Sequence, residues 1–316
     1  MRFSVIIPLY NKAPYVAKTI RSVLAQTCSD YELIVVDDGS RDNSAEIASQ
    51  ELEGFENCRL LRQENAGVSE ARNNAVTESQ GEYLCFLDAD DWWAPTFLEE
   101  MSNLIDEFPV AGIYGTNYTI VNESKRKTRV ASVGVEESFV KGYINYCQVY
   151  AKTMYMPLWT GAVSMPRSVF NEMGGFPKGI KLGEDFMLWI RVALKYKVVF
   201  LNKPLSFYNQ DVEATNRGVG KLHRPQDHML WNLGFLEEEE KTNSDYKQLV
   251  DNLRTYSLIP YLLDKRYRNA TRTELEKVDW GKQPSKTRKI YHRPIWVLQV
   301  RQSFLYMGSK IKRLVK

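Results

Sequence analysis

Tyr83-Leu84-Cys85-Phe86-Leu87-Asp88-Ala89-Asp90-Asp91 is the stretch on which the reading of the fold turns. A short apolar run with no polar break is a strand buried on both faces, as in parallel sheets covered by helices. Three carboxylates follow it within four positions. In open parallel sheets ligands sit outside the carboxyl ends of the strands, so these acids fall where ligand chemistry belongs. Mg²⁺ and Mn²⁺ prefer oxygen donors and often take only one or two carboxylates, with substrate phosphates completing the shell. The pair Asp88 and Asp90 is spaced to put one carboxylate on a metal and the other on a ribose. The same acids would also serve to cap a helix starting near Pro95, a residue that suits the first helical turn.

Outward from that stretch, β-branched runs alternate with helical patterns, the signature of a parallel sheet. Strands are expected at Phe3–Pro8, Glu32–Val36, Arg59–Leu61, Tyr83–Leu87 and Ala111–Thr116. Helices are expected at Ala13–Gln26, Ser44–Glu53, Val68–Gln80 and Pro95–Phe108. Asn122–Val133, rich in Lys and Arg, reads as an exposed excursion. A second α/β portion follows, with Gly161–Arg167, a turn at Gly174-Gly175-Phe176-Pro177, a helix at Glu184–Lys195 and a strand at Val198–Leu201. From about Pro225 the pattern is helical and polar, and Glu237-Glu238-Glu239-Glu240 reads as a solvated charge run. The expected organisation is an α/β domain over 1–215 and a mainly helical region over 216–316.

Other predicted strand ends carry polar chemistry too. The first ends in Pro8-Leu9-Tyr10-Asn11 and the second in Asp37-Asp38-Gly39-Ser40. Asp38 is placed to accept from the N–H of a base, with Ser40 or Asp42 capping the helix behind it. Four or five carboxylates thus converge on one rim, where without a cation or donor they would raise one another's pKa values. Asn65-Ala66-Gly67-Val68-Ser69-Glu70-Ala71-Arg72-Asn73 opens a helix: Gly67 allows a tight start, and Arg72 is placed to reach a phosphate or to buttress Asp38 or Asp88. Trp92 and Trp93 read as core aromatics or as walls of a ligand pocket. His223 reads as a surface residue, or as one that reaches the metal.

Composition narrows the function classes. Hydrophobic residues at 44% and charged residues at 26% are ordinary for a globular chain of 316 residues. The four cysteines show no paired spacing and read as reduced thiols. With three histidines a histidine-rich zinc site is not expected. Dinucleotide (G-x-G-x-x-G), P-loop and G-x-S-x-G signatures are absent. No secretory leader and no apolar run long enough to cross a bilayer is read, so the expectation is a cytoplasmic protein. The formal charge of +3 hides an asymmetry: Trp280–Lys316 carries ten Lys or Arg and no acid, leaving 32 basic and 39 acidic residues before it. An acidic body argues against nucleic-acid binding. In the tail Val297, Leu298, Phe304, Leu305, Ile311 and Val315 share one face, interrupted by Arg301 and Gly308 and ended by Lys310, Lys312, Arg313 and Lys316. Such a helix suits an anionic membrane surface, and equally a helix packed on the body or at a homodimer contact.

In order, Ser4-Val5-Ile6-Ile7-Pro8-Leu9-Tyr10-Asn11, Asp37-Asp38-Gly39-Ser40, Asn65-x-Gly67 with Ala71-Arg72-Asn73, and Phe86–Asp91 resemble the large family 2 of inverting glycosyltransferases. Pro166–Phe170, Gly174-Gly175-Phe176 and Gly183–Arg191 resemble its second half. The resemblance covers residue 3 to about 208. It implies the GT-A fold, a Rossmann-like, mostly parallel central sheet flanked by helices, here with a helical C-terminal extension. It implies transfer of a hexosyl or N-acetylhexosaminyl group from a nucleoside-diphosphate sugar, most often a UDP-sugar, with Mn²⁺ or Mg²⁺. The acceptor would be a glycan or lipid-linked glycan, as in bacterial surface polysaccharide synthesis. Pro8, Tyr10 and Asp38 would line the base pocket, with Asp88 near the ribose and Asp90 on the metal. Asp185 resembles the catalytic base, with Glu184 as the alternative, and an independent argument supports a carboxylate there. Inverting transfer needs one on the acceptor side to take the hydroxyl proton. Both acids also suit the first turn of their helix. Two other readings stand beside this one: a catalytically idle nucleotide-sugar-binding scaffold, and a nucleotidyltransferase, which would want a Gly-rich basic loop where Pro8–Lys12 stands.

Overall fold

Two adjacent strands, β1 (Phe3–Leu9) and β2 (Tyr31–Asp37), start the sheet, with β2 buried at every position. That burial accounts for the apolar runs Val5–Leu9 and Leu33–Val36, while buried Ser4 donates to buried Glu32 at 2.7 Å. In the computed structural model, which describes residues 1–212 and 222–300, β3 (Cys58–Arg62) and β4 (Tyr83–Phe86) pair in parallel on either side of them. Helices α1 (Val16–Leu24), α2 (Ser44–Leu52) and α3 (Val68–Glu78) make the crossovers. Val16, Ile20 and Val23 of α1 are buried at helical spacing against this sheet.

After β4 the chain makes a two-residue strand, β5 (Trp92–Trp93), and then α4 (Phe97–Glu107) and β6 (Ala111–Asn122). Lys127–Val130, β7, folds back on β6, so the basic excursion is an exposed hairpin strand. β8 (Lys141–Ile144) and α5 (Tyr146–Thr153) precede β9 (Val163–Pro166) and α6 (Arg167–Glu172). Then come α7 (Glu184–Lys195) and the long β10 (Lys197–Asn209). All ten strands join one sheet in the order β3-β2-β1-β4-β9-β6-β10-β5, with β7 on β6 and β8 on β10. β9 runs antiparallel to both β4 and β6 and so joins two parallel sets, β3-β2-β1-β4 and β6-β10. The expected mostly parallel sheet is therefore present with antiparallel insertions.

Residues 1–234 form one compact unit and 235–316 a second. The second unit contains α8 (Glu237–Thr242), α9 (Ser244–Ser257), α10 (Ile259–Leu263), α11 (Arg268–Glu276) and α12 (Ser285–Tyr291). Tyr246, Leu249, Val250 and Leu253 of α9 are buried. The acidic run is not wholly solvated: Glu240 takes both Nη atoms of buried Arg254, at 2.5 and 2.9 Å. Of the apolar face expected in the tail, Leu298 is buried. Arg301, Phe304, Leu305, Gly308, Lys310, Ile311, Lys312, Arg313, Val315 and Lys316 lie outside the described residues. Among the described residues no helix is long and apolar enough to cross a membrane.

Candidate active site

The rim is assembled from the loops that leave β1, β2 and β4. After β2, Gly39 takes φ +71°, and a Cβ there would lie 3.0 Å from the Asn65 nitrogen, so a residue without one lets two loops meet. Asp38, buried beside it, accepts from Gln63 Nε2 (2.7 Å), the Ala66 N–H (2.8 Å), the Gly67 N–H (2.9 Å) and Asn65 Nδ2 (3.2 Å). A carboxylate has about four acceptor positions, so loop 63–67 already occupies them. Gly67, at φ +93°, starts α3 as expected.

Asn43 occupies the cap position of α2 without a side-chain bond, and Asp42 Oδ1 takes the N–H of Ser44, the first helical residue, at 3.1 Å, whereas Ser40 does not cap. The hydroxyls and carboxylate of this turn also tie down the loop after β1. Ser40 Oγ accepts from the Asn11 N–H (3.1 Å), Ser44 Oγ from the Lys12 N–H (2.8 Å) and Asp42 from the Ala13 N–H (3.2 Å). Pro8, still within β1, is half-buried, and Tyr10 on that loop is exposed.

The helix after Pro95 begins at Phe97 with Thr96 at its cap position, so Asp88, Asp90 and Asp91 are not its cap and Pro95 precedes its first turn. Each acid has a different partner. Asp88, a third exposed, receives Arg72 Nη2 at 2.6 Å. Lys12 Nζ lies 2.5 Å from Asp90, whose carboxyl is pushed up by burial and by Asp88, with Lys12 opposing. Asp91 is buried, accepts from the Asn209 N–H (2.8 Å) and Trp159 Nε1 (3.3 Å), and is held well above the usual carboxylate range by burial and by Asp90.

Arg72, 3% exposed, spans from Asp88 to Glu184, giving Nη1 to Glu184 Oε1 at 3.1 Å, and lies 4.9 Å from the Phe176 ring centre. Glu184 and Asp185 open α7 behind Gly183, which has φ +85°. Burial and the neighbouring Asp185 push the Glu184 carboxyl up to about 7 against the pull of Arg72. Asp185 is raised by burial, with Arg72 and the Thr160 hydroxyl opposing; that hydroxyl donates to it at 2.9 Å, and the Phe186 N–H at 2.7 Å. Behind them Leu182 bridges to His228, and a Cβ on Gly183 would meet Met229 Sδ at 2.3 Å.

Residues 4–172, just over half the chain, match the description "Glycosyl transferase family 2". The chain belongs to glycosyl transferase family 2. Its relatives agree. "Glycosyltransferase GlyA" of Streptococcus pneumoniae serotype 4 is 34% identical over 215 residues, covering 66% of this chain and 30% of that protein. "Glycosyltransferase GlyG" of the same organism is 27% identical over 251 residues, covering 77% and 79%. The chain spans 30–50% of the length of the first curated relatives that it matches. Among solved structures, S. aureus TarS 1–349 in complex with UDP-GlcNAc has TM-score 0.72 at 19% identity, covering 91% of this chain and 83% of that one. Mannosyltransferase PcManGT of Pyrobaculum calidifontis, in complex with GDP-Man and Mn²⁺, has TM-score 0.53 at 18% identity, covering 89% and 88%. These likenesses establish the GT-A fold.

For a family 2 chain the fit of a divalent cation rests on Asp88 and Asp90. Among the described residues no group of three or more His, Cys, Asp or Glu side chains could hold a cation unaided. Two rim carboxylates do fit an ion that takes its other ligands from substrate phosphates, and the Lys12 ammonium on Asp90 is a cation standing in that place. His228 is buried, held down to about 4 by that burial, and accepts from the Leu230 N–H through Nδ1 (3.2 Å). His223 is half-buried. Trp93 is core, stacked on Phe97 and bonded to the Gly161 carbonyl, while half-buried Trp92 stacks on Phe207. Three residues of the site escaped the sequence reading: Lys12, Trp159 and Thr160. Only Lys12 had a local signal, as the one cation in the turn after β1.

Proposed function

We propose that this family 2 chain moves a sugar from a nucleoside-diphosphate sugar, a UDP-sugar first, to a hydroxyl of a glycan or lipid-linked glycan, with inversion. The observation that carries the reading is the reach of one buried guanidinium, from Asp88 on the strand rim to Glu184 beside Asp185. It brings the diphosphate side and the acceptor side within a single side chain's span. The UDP-GlcNAc of TarS supports a uridine donor, and the Mn²⁺ of PcManGT supports a divalent cation here.

In this reading Asp185 takes the proton of the acceptor hydroxyl as its oxygen attacks the anomeric carbon. The bond from that carbon to the diphosphate breaks on the opposite face. A raised pKa suits this role, because a general base works best when its pKa approaches the working pH. The Thr160 hydroxyl and the Phe186 N–H fix the carboxylate's direction. Arg72 stays between Asp88 and Glu184 as a fixed positive charge. Asp88 and Asp90 would hold Mn²⁺ or Mg²⁺, and the chemistry such an ion supplies is neutralisation of charge on the leaving diphosphate. Pro8, Tyr10 and Asp38 would face the base; since the Asp38 carboxylate already has four donors, a base N–H would replace one of them. Donor hydrolysis across a nucleotide-sugar panel, with Mn²⁺ and with Mg²⁺, tests the reading. Turnover of one donor, lost in excess chelator, is expected, and no turnover of any donor would favour the idle scaffold.

The basic tail belongs to the same proposal as its means of reaching a lipid-linked acceptor, on the cytoplasmic face of an anionic membrane. The full chain should sediment with anionic vesicles and leave them in high salt, whereas a chain ending near Asp279 should not. Equal behaviour of the two would leave the tail as a packing or homodimer element.

A further inference from the structure

Three consecutive residues, Trp159, Thr160 and Gly161, are each bonded to a different side chain around the site. Trp159 Nε1 donates to Asp91 at 3.3 Å, the Thr160 hydroxyl donates to Asp185 at 2.9 Å, and the Gly161 carbonyl accepts from Trp93 Nε1 at 2.6 Å. The first and third bonds reach the segment that follows β4, and the second reaches the head of α7. The turn is closed on itself: the Ala162 N–H returns to the Trp159 carbonyl at 2.8 Å, and Thr160, Gly161 and Ala162 are buried. From it the chain passes straight into β9, the antiparallel strand between β4 and β6. Tyr118 of β6 and Tyr208 of β10 pack on the indole, with ring centres 5.5 and 4.3 Å away. A Cβ on Gly161 would come within 3.3 Å of Ser206 Oγ and 3.4 Å of Trp159 Nε1, so the packing extends to the donor atom itself.

We propose that Trp159 is a positioning residue: it ties the turn that aims Asp185 to the segment carrying Asp88 and Asp90, and so fixes how far the base stands from the diphosphate. The inference rests on the transferase reading above. Inversion needs attack and departure in line, with the base on one face of the anomeric carbon and the diphosphate on the other. A misplacement of about 1 Å in such a geometry can cost on the order of 10²-fold in rate. Arg72 also links the two sides, but through Asp88, one of the acids given to the cation in that reading. Trp159 instead holds Asp91, which receives the Asn209 N–H from the end of β10 at 2.8 Å as well. This second tie leaves both proposed metal ligands alone, so it persists as donor and cation arrive. An indole N–H suits the task, being a donor only and carrying no charge for a cation to repel.

The test is donor hydrolysis by the full chain, with water as acceptor and the donor that wild type turns over in the nucleotide-sugar panel. Affinity for Mn²⁺ with UDP or GDP, whichever matches that donor, is measured beside it by calorimetry. Trp159→Phe and Trp159→Met each remove the N–H and keep an apolar side chain; thermal melts identify which is folded, and either suffices. Turnover should fall about tenfold while nucleotide affinity stays within about twofold of wild type. Thr160→Val should fall about as far, and Thr160→Ser, which keeps the hydroxyl, should recover most of the loss. Combining the folded Trp159 change with Thr160→Val should be little worse than either alone, because both act on the aim of one carboxylate. Three results overturn the Trp159 proposal and leave the transferase reading standing: wild-type turnover in the Trp159 variants, nucleotide affinity that falls as far as turnover, or a double variant at the full product of about 100-fold. Failure of both Trp159 variants to fold would make the indole a packing residue only, and overturns it too. A wild-type chain that hydrolyses no donor overturns the transferase reading, and this proposal with it.

Discussion

Asp38 follows β2 and Asp90 follows β4, and the same sheet carries both. Asp38 receives four hydrogen bonds, all from loop 63–67, and so is fully served by its own chain. Asp90 has one ammonium for a partner and a second acid close by, and burial raises its pKa in spite of that partner. Glu184 and Asp185 share the second condition, raised by burial and held in check by one guanidinium. The difference teaches where this molecule waits for a ligand. Hydrogen bonds complete the Asp38 side in advance. The side of Asp90, Glu184 and Asp185 is left short of positive charge, which in the proposed reading a donor with its cation would supply.

Breaking the catalytic side should have the largest effect. Asp90→Ala is expected to reduce transfer to background with an unchanged thermal melt, and chelator should reproduce the loss in wild type. A variant that keeps full activity would remove Asp90 from the metal site. Asp185→Asn, which keeps shape and removes the proton acceptor, should lower turnover roughly 10²-fold or more while donor affinity survives. If Glu184→Gln falls instead and Asp185→Asn does not, the base is Glu184.

The nucleotide side should break differently. Asp38→Ala strands two backbone N–H groups and the Gln63 amide, while Asn65 Nδ2 keeps the Asp38 carbonyl at 2.8 Å, at a cost of about 2–4 kcal/mol in unfolding free energy. Its donor affinity should fall more than its turnover at saturating donor. A variant as stable as wild type would show that loop 63–67 does not depend on the carboxylate.

The smallest expected effect sharpens the comparison through pH. Glu184 sits at about 7 in the fold against an ordinary 4.5, so the folded chain keeps a proton that the unfolded chain has lost. Stability therefore falls as pH rises through that window, an effect of about 1–3 kcal/mol. Glu184→Gln should show a shallower decline, with the raised carboxyls of Asp90, Asp91 and Asp185 still contributing theirs, as melts at about pH 5 and about pH 7.5 would reveal. An identical pH dependence in the two proteins would contradict the raised value.

Much of this contrast was legible in the sequence, and the boundary of legibility is physical. β1 and β2 are buried on both faces, and continuous apolar runs announce that. α7 spans Glu184–Lys195 as expected, because acids at its start, Lys195 at its end and a glycine before it all mark its limits. Of the three reaches open to Arg72 in the sequence, to a phosphate, to Asp38 or to Asp88, the structure has the last, together with Glu184, which the sequence did not offer. What stayed hidden depends on contacts across long separations. Lys12 reaches Asp90 over 78 residues, Trp159 reaches Asp91 over 68 and Thr160 reaches Asp185 over 25, and no periodicity encodes such meetings. β8 and α5 were missed because half-exposed residues blur both the strand and the helix patterns. The strand expected at Val198–Leu201 runs on to Asn209, because β6 gives it a partner to that point.

Gly183 turns left-handed before the two acids of α7, with Met229 filling the space where a side chain would go. In the history of such a sequence these two positions cannot wander independently. A larger residue at 183 would have to force Met229 aside and strain the backbone at once, and it would tilt the first turn that carries Glu184 and Asp185. Drift at 183 is closed twice over, by Met229 in the space and by a φ of +85° that strains any side chain even where there is room, so a glycine and a methionine together set the terms on which the acids hold their place.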